Sequence, residues 1–233
     1  GSQAPHLVKV YGFHSIHGRA LPVATAMKIA NHKMNIIVIG GDGDGYGIGM
    51  AHLVHAARRN FNITYIVQNN QVYGLTKGQT SPTSEHGFKT KSTPEGVIEV
   101  PIRPLSIALS SGATFLARGY AGDIMYLKQL IIEGIQHKGF ALIDVLQPCV
   151  TFNKINTYQW YQQRIHKLDA ENPTDRIAAF KLTEEWGDKI PVGVYYKETR
   201  PTYEDELPMI VEKPLAEHSI DNIDIDPIIQ SYL

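Results

Sequence analysis

A glycine-rich segment and a pair of asparagines hold the residues best suited to chemistry. The segment GDGDGYGIG, residues 41–49, follows an apolar run at 35–40, and Asn69 and Asn70 follow a second apolar run at 63–68. Such β-branched runs are typical of buried strands in a parallel sheet. Ligands of open α/β sheets bind at the carboxyl ends of the strands. We therefore expect both polar segments at one edge of a sheet, facing a ligand.

Asp42 and Asn70 can act together as ligands of one hard cation. Neighbouring parallel strands lie about 4.8 Å apart, so oxygens at two adjacent strand ends reach a common ion. Mg²⁺ prefers octahedral oxygen ligation and commonly bridges to phosphate groups. The glycines let backbone N–H groups approach an anion closely. The pattern predicts a magnesium site for a phosphorylated ligand, although a glycine-rich segment alone is more typical of a tight turn, and the pairing of GDG with NN is what favours the site.

The glycine spacing excludes two common nucleotide motifs. A dinucleotide fingerprint requires G-x-G-x-x-G, but Ile48 stands where the third glycine would follow Gly43 and Gly45. A P-loop requires G-x-x-x-x-G-K-[ST], and the 233 residues contain no such string. The phosphorylated ligand is therefore expected to bind in another way.

Composition narrows the class of protein. The chain is 43% hydrophobic and 19% charged, which fits a globular domain and not a disordered polymer. Its 22 Lys and Arg are balanced by 23 Asp and Glu, so no basic excess favours nucleic acid. The longest aliphatic run, 36–39, is too short to cross a bilayer, and we expect no membrane association. The single cysteine, Cys149, excludes an intrachain disulfide and fits a reducing cytoplasm.

Helix and strand patterns alternate through the first part of the chain. Helices are predicted at 19–31, 50–60 and 122–138, and strands at 35–40, 63–68, 114–118 and 140–146. This alternation predicts an α/β fold with a doubly wound, mostly parallel sheet. Residues 73–87 are predicted to form a long exposed loop because they are rich in Gly, Pro, Ser and Thr.

The region after Cys149 has a less regular hydrophobic pattern than the region before it. Helical patches are predicted at 157–166 and 174–187, and the residues from about 190 show no clear period. We therefore predict one α/β domain over 1–190 and a C-terminal arm over 191–233, helical and extended, that lies on a partner subunit.

Three longer stretches, 11–31, 40–60 and 68–84, resemble one enzyme family. They read YGFHSIHGRALPVATAMKIAN, GGDGDGYGIGMAHLVHAARRN and QNNQVYGLTKGQTSPTS. Within these stretches, GDG paired with NN is similar to the thiamine diphosphate motif. The three stretches together are similar to the β subunits of 2-oxoacid:ferredoxin oxidoreductases, and most of all to the 2-oxoglutarate branch. The resemblance extends from about residue 5 to about residue 190.

The resemblance implies a thiamine diphosphate-binding fold and an oxidoreductase. The expected reaction is the CoA-dependent oxidative decarboxylation of a 2-oxoacid, with electrons passed through a [4Fe-4S] cluster to ferredoxin. An α subunit would complete the active site in a heterodimer or heterotetramer, so this chain alone should be inactive. Two alternatives remain open: a non-oxidative thiamine diphosphate-dependent decarboxylase or synthase subunit, and a non-catalytic subunit with a decayed site.

The resemblance also implies roles for individual residues. Asp42 and Asn70 would bind Mg²⁺ through their side chains and Val72 through its carbonyl. His17 would be the catalytic residue, which hydrogen-bonds an intermediate or donates a proton. The cofactor-binding residues would be His17, Gly18, Arg19, Gly43, Asp44, Tyr73, Gly74, Leu75 and Thr76.

Cys149, in QPCVTF, is similar to the last cysteine ligand of the family's cluster. One cysteine cannot hold a [4Fe-4S] cluster by itself. The family's other ligands, a CPGC pair and one further cysteine, are missing from the 233 residues. We expect that an N-terminal segment is absent, and true loss of the cluster is the alternative.

Overall fold

A six-stranded sheet forms the centre of the computed structural model, which describes residues 4–169, 173–221 and 223–233. The strands are β1 (Ile37–Gly41), β2 (Ile63–Asn69), β3 (Val72–Tyr73), β4 (Gln79–Thr80), β5 (Phe115–Tyr120), β6 (Phe140–Leu146), β7 (Ile165–Lys167) and β8 (Ile190–Lys197). The sheet has the order β1-β2-β6-β5-β8-β7, and β3 and β4 form a separate antiparallel hairpin. Within the sheet only β5 and β8 pair antiparallel; the other pairs are parallel.

Helices cover the sheet and continue into the C-terminal region. They are α1 (Ala4–Leu7), α2 (Ala20–Ala30), α3 (Met50–Arg59), α4 (Pro104–Ser110), α5 (Ile124–Gln136), α6 (Tyr158–Gln162), α7 (Arg176–Glu184), α8 (Pro208–Val211) and α9 (Asp226–Gln230), with a π-helical turn at Gly43–Ile48 and a 3-10 turn at Leu215–Glu217. The longest, α5, begins where the Asp123 carboxylate accepts a hydrogen bond from the Tyr126 N–H. In the described ranges, no helix has both the length and the apolar composition that a bilayer crossing needs.

The two faces of the sheet bury different sets of helices. Tyr65 and Leu142 point to the face on which α2, α3, α4 and α7 pack. Ile66 and Ile143, the next residues along the same strands, point to the opposite face and contact the cluster formed with α5. Neighbouring strand residues alternate between faces, so each central strand needs apolar residues in succession. This is why these strands appear as unbroken hydrophobic runs in the sequence.

The predicted α/β fold with a mostly parallel, doubly wound sheet is confirmed. The helix predicted at 19–31 is α2, and the strand predicted at 140–146 is β6 with the same bounds. The second half of the helical patch at 157–166 was wrong: after α6 the chain enters β7, whose residues pair with β8.

The predicted domain boundary at residue 190 falls inside the sheet. Ile190–Lys197 form β8, which lies between β5 and β7 and is almost wholly buried. Residues 191–197 of the predicted arm therefore form part of the central sheet. After Lys197 the described residues form short helical pieces and extended segments. The division into two domains stays a prediction.

The long exposed loop predicted at 73–87 is partly wrong. It contains β4, and Ser81, Thr83 and Ser84 are buried. Their hydroxyl groups have partners inside the protein, so burial leaves none of these hydroxyls without a hydrogen bond.

Candidate functional site

Asp42 lies directly after β1 and is buried, with 2% of its surface exposed. Its Oδ2 atom accepts hydrogen bonds from Ser81 Oγ at 2.6 Å and Thr83 Oγ1 at 2.7 Å. Burial raises the pKa of this carboxyl above its usual range, while the two hydroxyls and the backbone N–H of Asn70 act in the opposite direction. The Asn70 backbone is thus close enough to act on the Asp42 carboxyl, as expected for two neighbouring strand ends.

Asn70 follows β2 and forms a local turn toward Val72. Its Oδ1 atom accepts a hydrogen bond from the Val72 N–H at 3.1 Å, which fixes the direction of the amide oxygen. An amide oxygen has two lone pairs, so one remains for a cation. The first asparagine of the pair behaves differently: Asn69 is buried and contacts Thr83 and Asp144.

The Asp44 side chain is turned toward the segment that contains His17. Its Oδ1 atom accepts from the Gly18 N–H at 2.5 Å and lies 3.1 Å from His17 Nδ1. The Asp44 carboxylate therefore fixes the HGR turn. Because a diphosphate is also an anion, it could contact Asp44 only through the backbone. Gly18 has φ of +74°, and a Cβ there would lie 2.3 Å from a methyl carbon of Ile48, so only glycine fits.

Tyr73 closes one side of the glycine segment. Its hydroxyl donates to the Gly43 carbonyl at 2.9 Å, and a Cβ at Gly43 would lie 2.2 Å from the tyrosine ring. The His17 and Tyr73 rings meet edge to face with centroids 6.0 Å apart. Burial, with the nearby carboxylates of Asp42 and Asp44, raises the pKa of Tyr73. These contacts bring the tyrosine, the histidine and the glycine segment into one place.

The β3–β4 hairpin carries three of the predicted cofactor-binding residues at its tip. Gly74 lies close to Asn70 and to Cys149: a Cβ at Gly74 would be 3.9 Å from Asn70 Nδ2 and 3.8 Å from Cys149 Sγ. Leu75 is 87% exposed, and the exposed Thr76 hydroxyl donates to Gln79. The structure thus brings Gly74 and Cys149 to the site, while Leu75 and Thr76 face solvent in this chain.

Arg19 lies beside the HGR turn, where its Nη1 donates to the Gly18 carbonyl at 3.4 Å. Its charge acts on His52 of α3, whose pKa it lowers together with burial, the larger cause. The part of Arg19 in cofactor binding stays a prediction.

Comparison with known proteins adds to this geometry. The family model described as thiamine pyrophosphate enzyme, C-terminal TPP binding domain, matches residues 2–145. The model for the C-terminal part of the pyruvate ferredoxin oxidoreductase beta subunit matches residues 149–212. A 2-oxoacid:ferredoxin oxidoreductase subunit beta of Saccharolobus solfataricus is 46% identical over 96% of this chain and 75% of its own length. The chain belongs to the 2-oxoacid:ferredoxin oxidoreductase β subunits.

Two further relatives of this β subunit carry more specific names. A 2-oxoglutarate synthase subunit KorB of Archaeoglobus fulgidus is 38% identical over 76% of this chain and 70% of its own length. A solved structure of 2-oxoglutarate:ferredoxin oxidoreductase from Magnetococcus marinus, with 2-oxoglutarate, coenzyme A and succinyl-CoA bound, is 39% identical. It covers 100% of this chain and 79% of that chain, with a TM-score of 0.90. The resemblance inferred from the motifs is confirmed, and the β subunit is part of an oxidoreductase.

The oxygen donors around Asp42 fit a divalent cation. A buried carboxylate without a positive partner is costly, and in the described part of the β subunit no Lys, Arg or His forms an ion pair with Asp42. The other predicted ligands, the Asn70 amide and the Val72 carbonyl, are neutral oxygens of the kind that Mg²⁺ accepts. Among the described residues, no group of three or more His, Cys, Asp or Glu side chains is arranged to hold a metal ion.

Sequence reasoning missed a buried ion pair behind the site. Arg118 Nε donates to Asp144 Oδ2 at 3.0 Å, and both residues are at most 1% exposed. Asp144 Oδ1 also accepts from Tyr46 of the π-helical turn and from Asn69. The available signal was an acidic residue inside the apolar run FALIDVL, because a charge in a buried strand requires a partner.

Proposed function

We propose that this β subunit binds thiamine diphosphate through Mg²⁺, which Asp42 and Asn70 would hold by their side chains and Val72 by its carbonyl. The observation that carries the proposal is the buried Asp42 carboxylate, which lies beside the Asn70 backbone and has no cationic partner in the described residues. The match of residues 2–145 to a thiamine pyrophosphate-binding domain supports the same cofactor.

The chain's own residues would orient the cofactor. Thiamine diphosphate, when bound, supplies the carbanion chemistry that removes carbon dioxide from a 2-oxoacid. The backbone N–H groups of Gly43, Asp44 and Gly74 would face its diphosphate. Tyr73 would keep the glycine segment in place through its hydrogen bond to the Gly43 carbonyl.

His17 would hold or move a proton at its Nε2 atom. The Nδ1 atom faces Asp44 at 3.1 Å, so Nε2 is the ring nitrogen directed to a ligand. A carboxylate on Nδ1 fixes the tautomer and the ring orientation, as for histidines that act in proton transfer. The side chain is 52% exposed in this chain, and an α subunit would cover it.

The complete reaction would need partners beyond this chain. We propose CoA-dependent oxidative decarboxylation in a complex with an α subunit, in the cytoplasm. The names of the relatives, together with the 2-oxoglutarate bound in the solved structure, support 2-oxoglutarate as the 2-oxoacid. Electrons would pass through a [4Fe-4S] cluster to ferredoxin. Cys149, beside Gly74, would supply one cluster ligand, and the other ligands would come from outside these 233 residues.

The Asp42→Asn variant tests the metal and cofactor assignment in the assembled complex. Thiamine diphosphate with Mg²⁺, each about 100-fold above its dissociation constant, should stabilise the wild-type complex by roughly 2.7 kcal/mol. The substitution removes the charge that holds the cation, so the stabilisation should be lost. The matched control is Asp123→Asn, at a partly exposed helix cap away from the site. An equal cofactor-linked rise in melting temperature in Asp42→Asn and wild type would contradict the proposal.

A further inference from the structure

Two hydroxyl groups hold one oxygen of the Asp42 carboxylate, and the neighbouring backbone, that of Asn70 included, also acts on this carboxyl. Ser81 Oγ and Thr83 Oγ1 both contact Oδ2, at 2.6 and 2.7 Å, and lie 3.1 Å from each other. A carboxylate oxygen offers about two lone-pair positions, so Oδ2 is fully used. Among the described residues no side chain donates to Oδ1.

The segment that carries the hydroxyls is itself tied to the residue next to Asn70. The Ser84 hydroxyl accepts from the Ser81 N–H at 2.8 Å and donates to the Gln71 carbonyl at 2.6 Å. Gln71 Nε2 donates to the Thr83 carbonyl at 2.8 Å. Gln71 has a positive φ of 58° and is buried. The positions of the two hydroxyls are therefore set by backbone contacts and not by exposed side-chain rotamers.

A chain of hydrogen bonds connects Thr83 to the buried ion pair. Thr83 Oγ1 lies 3.0 Å from Asn69 Oδ1, and Asn69 Nδ2 donates to Asp144 Oδ1 at 3.1 Å. The Asp144 carboxyl accepts from Arg118 Nε and from Asn69 Nδ2, so the amide group of Asn69 presents its NH₂ to Asp144 and its oxygen to Thr83. The threonine hydroxyl has one proton and lies within hydrogen-bond distance of two acceptors, Asp42 Oδ2 and Asn69 Oδ1, so it donates to one of them at a time.

We propose that Ser81 and Thr83, supported by Asn69 and Asp144, are positioning residues that orient Asp42 so that Oδ1 faces the cation. The proposal rests on the function proposed above. Groups that hydrogen-bond to metal ligands fix ligand geometry, and their loss typically costs about 10–100-fold in metal affinity. The first asparagine of the NN pair then has a role of its own: it places the Thr83 hydroxyl and does not bind the metal.

The test compares Thr83→Val with Thr83→Ser in the assembled complex. Mn²⁺ serves as the probe for the magnesium site, and its binding is measured by electron paramagnetic resonance at saturating thiamine diphosphate. Thr83→Val keeps the side-chain shape and removes the hydroxyl, so it should weaken Mn²⁺ binding by about 10–100-fold. Thr83→Ser restores the hydroxyl and should bind within a few-fold of wild type. Thr80→Val, in the neighbouring strand β4, is the matched control and should leave the affinity unchanged.

Two further variants separate the possible failures. If Thr83→Val does not fold, Ser81→Ala removes the other hydroxyl without added bulk and should weaken Mn²⁺ binding as well. Wild-type affinity in Thr83→Val or Ser81→Ala overturns the inference. If Asp42→Asn loses Mn²⁺ while both hydroxyl variants keep it, only the positioning role is wrong. If Asp42→Asn keeps Mn²⁺ as well, the proposed metal site fails and the inference fails with it. The melting temperature of each metal-free variant shows whether folding alone explains a loss.

Discussion

The two ends of the parallel strands bury polar groups in contrasting ways. At the carboxyl ends, Asp42, Asn69 and Asp144 form a charged network that reaches the candidate site. At the amino ends, Asn60 joins neutral groups: its Oδ1 atom accepts from the Thr114 hydroxyl at 2.7 Å and the Phe140 N–H at 2.9 Å.

The hydrogen bonds of Asn60 at the amino ends also hold the C-terminal part of the chain. Asn60 Nδ2 donates to the Pro201 carbonyl at 2.9 Å, and Asn60 itself ends α3 with a left-handed φ of 52°. Its amide therefore forms hydrogen bonds with Thr114, which precedes β5, with Phe140 of β6 and with the segment after β8. Each donor has an acceptor within the chain, and no ligand is needed to complete the arrangement.

The contrast distinguishes a stabilising end from a functional end. Hydrogen bonds that are complete within the chain contribute to stability. A buried carboxylate whose charge has no partner in the described residues costs stability and is retained where a ligand supplies that charge. Ligands of open α/β sheets bind at carboxyl ends, and Asp42, directly after β1, lies at such an end.

The largest expected effect comes from breaking the ion pair at the carboxyl ends. Arg118→Leu leaves the Asp144 carboxylate buried without a partner and should destabilise the fold by about 3–5 kcal/mol. Denaturant unfolding measures the loss. Arg58→Leu, which removes an exposed arginine of α3, is the control and should change stability by less than about 1 kcal/mol. Equal stability of the two variants would show that the pair contributes nothing.

A second prediction concerns the pH dependence of folding stability that His137 produces at the amino ends. Burial, with the charge of Lys197, lowers the pKa of His137 to about 4, whereas the unfolded chain has a histidine pKa near 6.5. Between these two pKa values the unfolded state binds one more proton than the folded state. The free energy of unfolding should therefore have its full value above about pH 6.5 and fall by up to about 3 kcal/mol as the pH approaches 4.

His137→Gln should flatten this part of the stability profile. Unfolding midpoints measured from pH 7 to pH 4 give the slope, and exposed His55→Gln is the control that should keep the wild-type slope. A profile for His137→Gln that parallels wild type over this range would rule out the assigned titration.

The smallest effect is expected for Asn60→Ala. The Thr114 hydroxyl and the Phe140 N–H lose their acceptor, which should cost about 2 kcal/mol. Because Asn60 lies at the amino ends, Mn²⁺ affinity of the assembled complex should stay at the wild-type value. Lys138→Ala, which removes an exposed ion pair with Asp205, should cost less than about 1 kcal/mol. A weaker Mn²⁺ affinity in Asn60→Ala would remove the distinction between the two ends.

Much of the fold could be predicted because its central strands are buried on both faces. Such strands give continuous apolar runs, and β1, β2 and β6 were found from them. β8 was missed because Pro191 and Gly193 are read as strand breakers. In the structure Pro191 pairs with His166, in the short parallel contact to β7, and Gly193 has a φ of +140°.

The candidate site was only partly predictable for a different reason. The GDG and NN segments are local motifs, and the structure brings them together as expected. Ser81 and Thr83 stand in a polar stretch that is typical of an exposed loop, and their burial depends on contacts with Asp42, Asn69 and Gln71. Contacts between residues this far apart in sequence leave no periodic signal.

The position of β8 has a consequence for biosynthesis. Tyr195 of this strand accepts a hydrogen bond from Arg118 of β5, so the burial of the ion pair is completed by a strand that is synthesised well after β5 and β6. Until β8 leaves the ribosome, the edge of β5 has unpaired backbone groups and the guanidinium lacks one of its acceptors. The carboxyl ends of the sheet therefore reach their final form only late in translation.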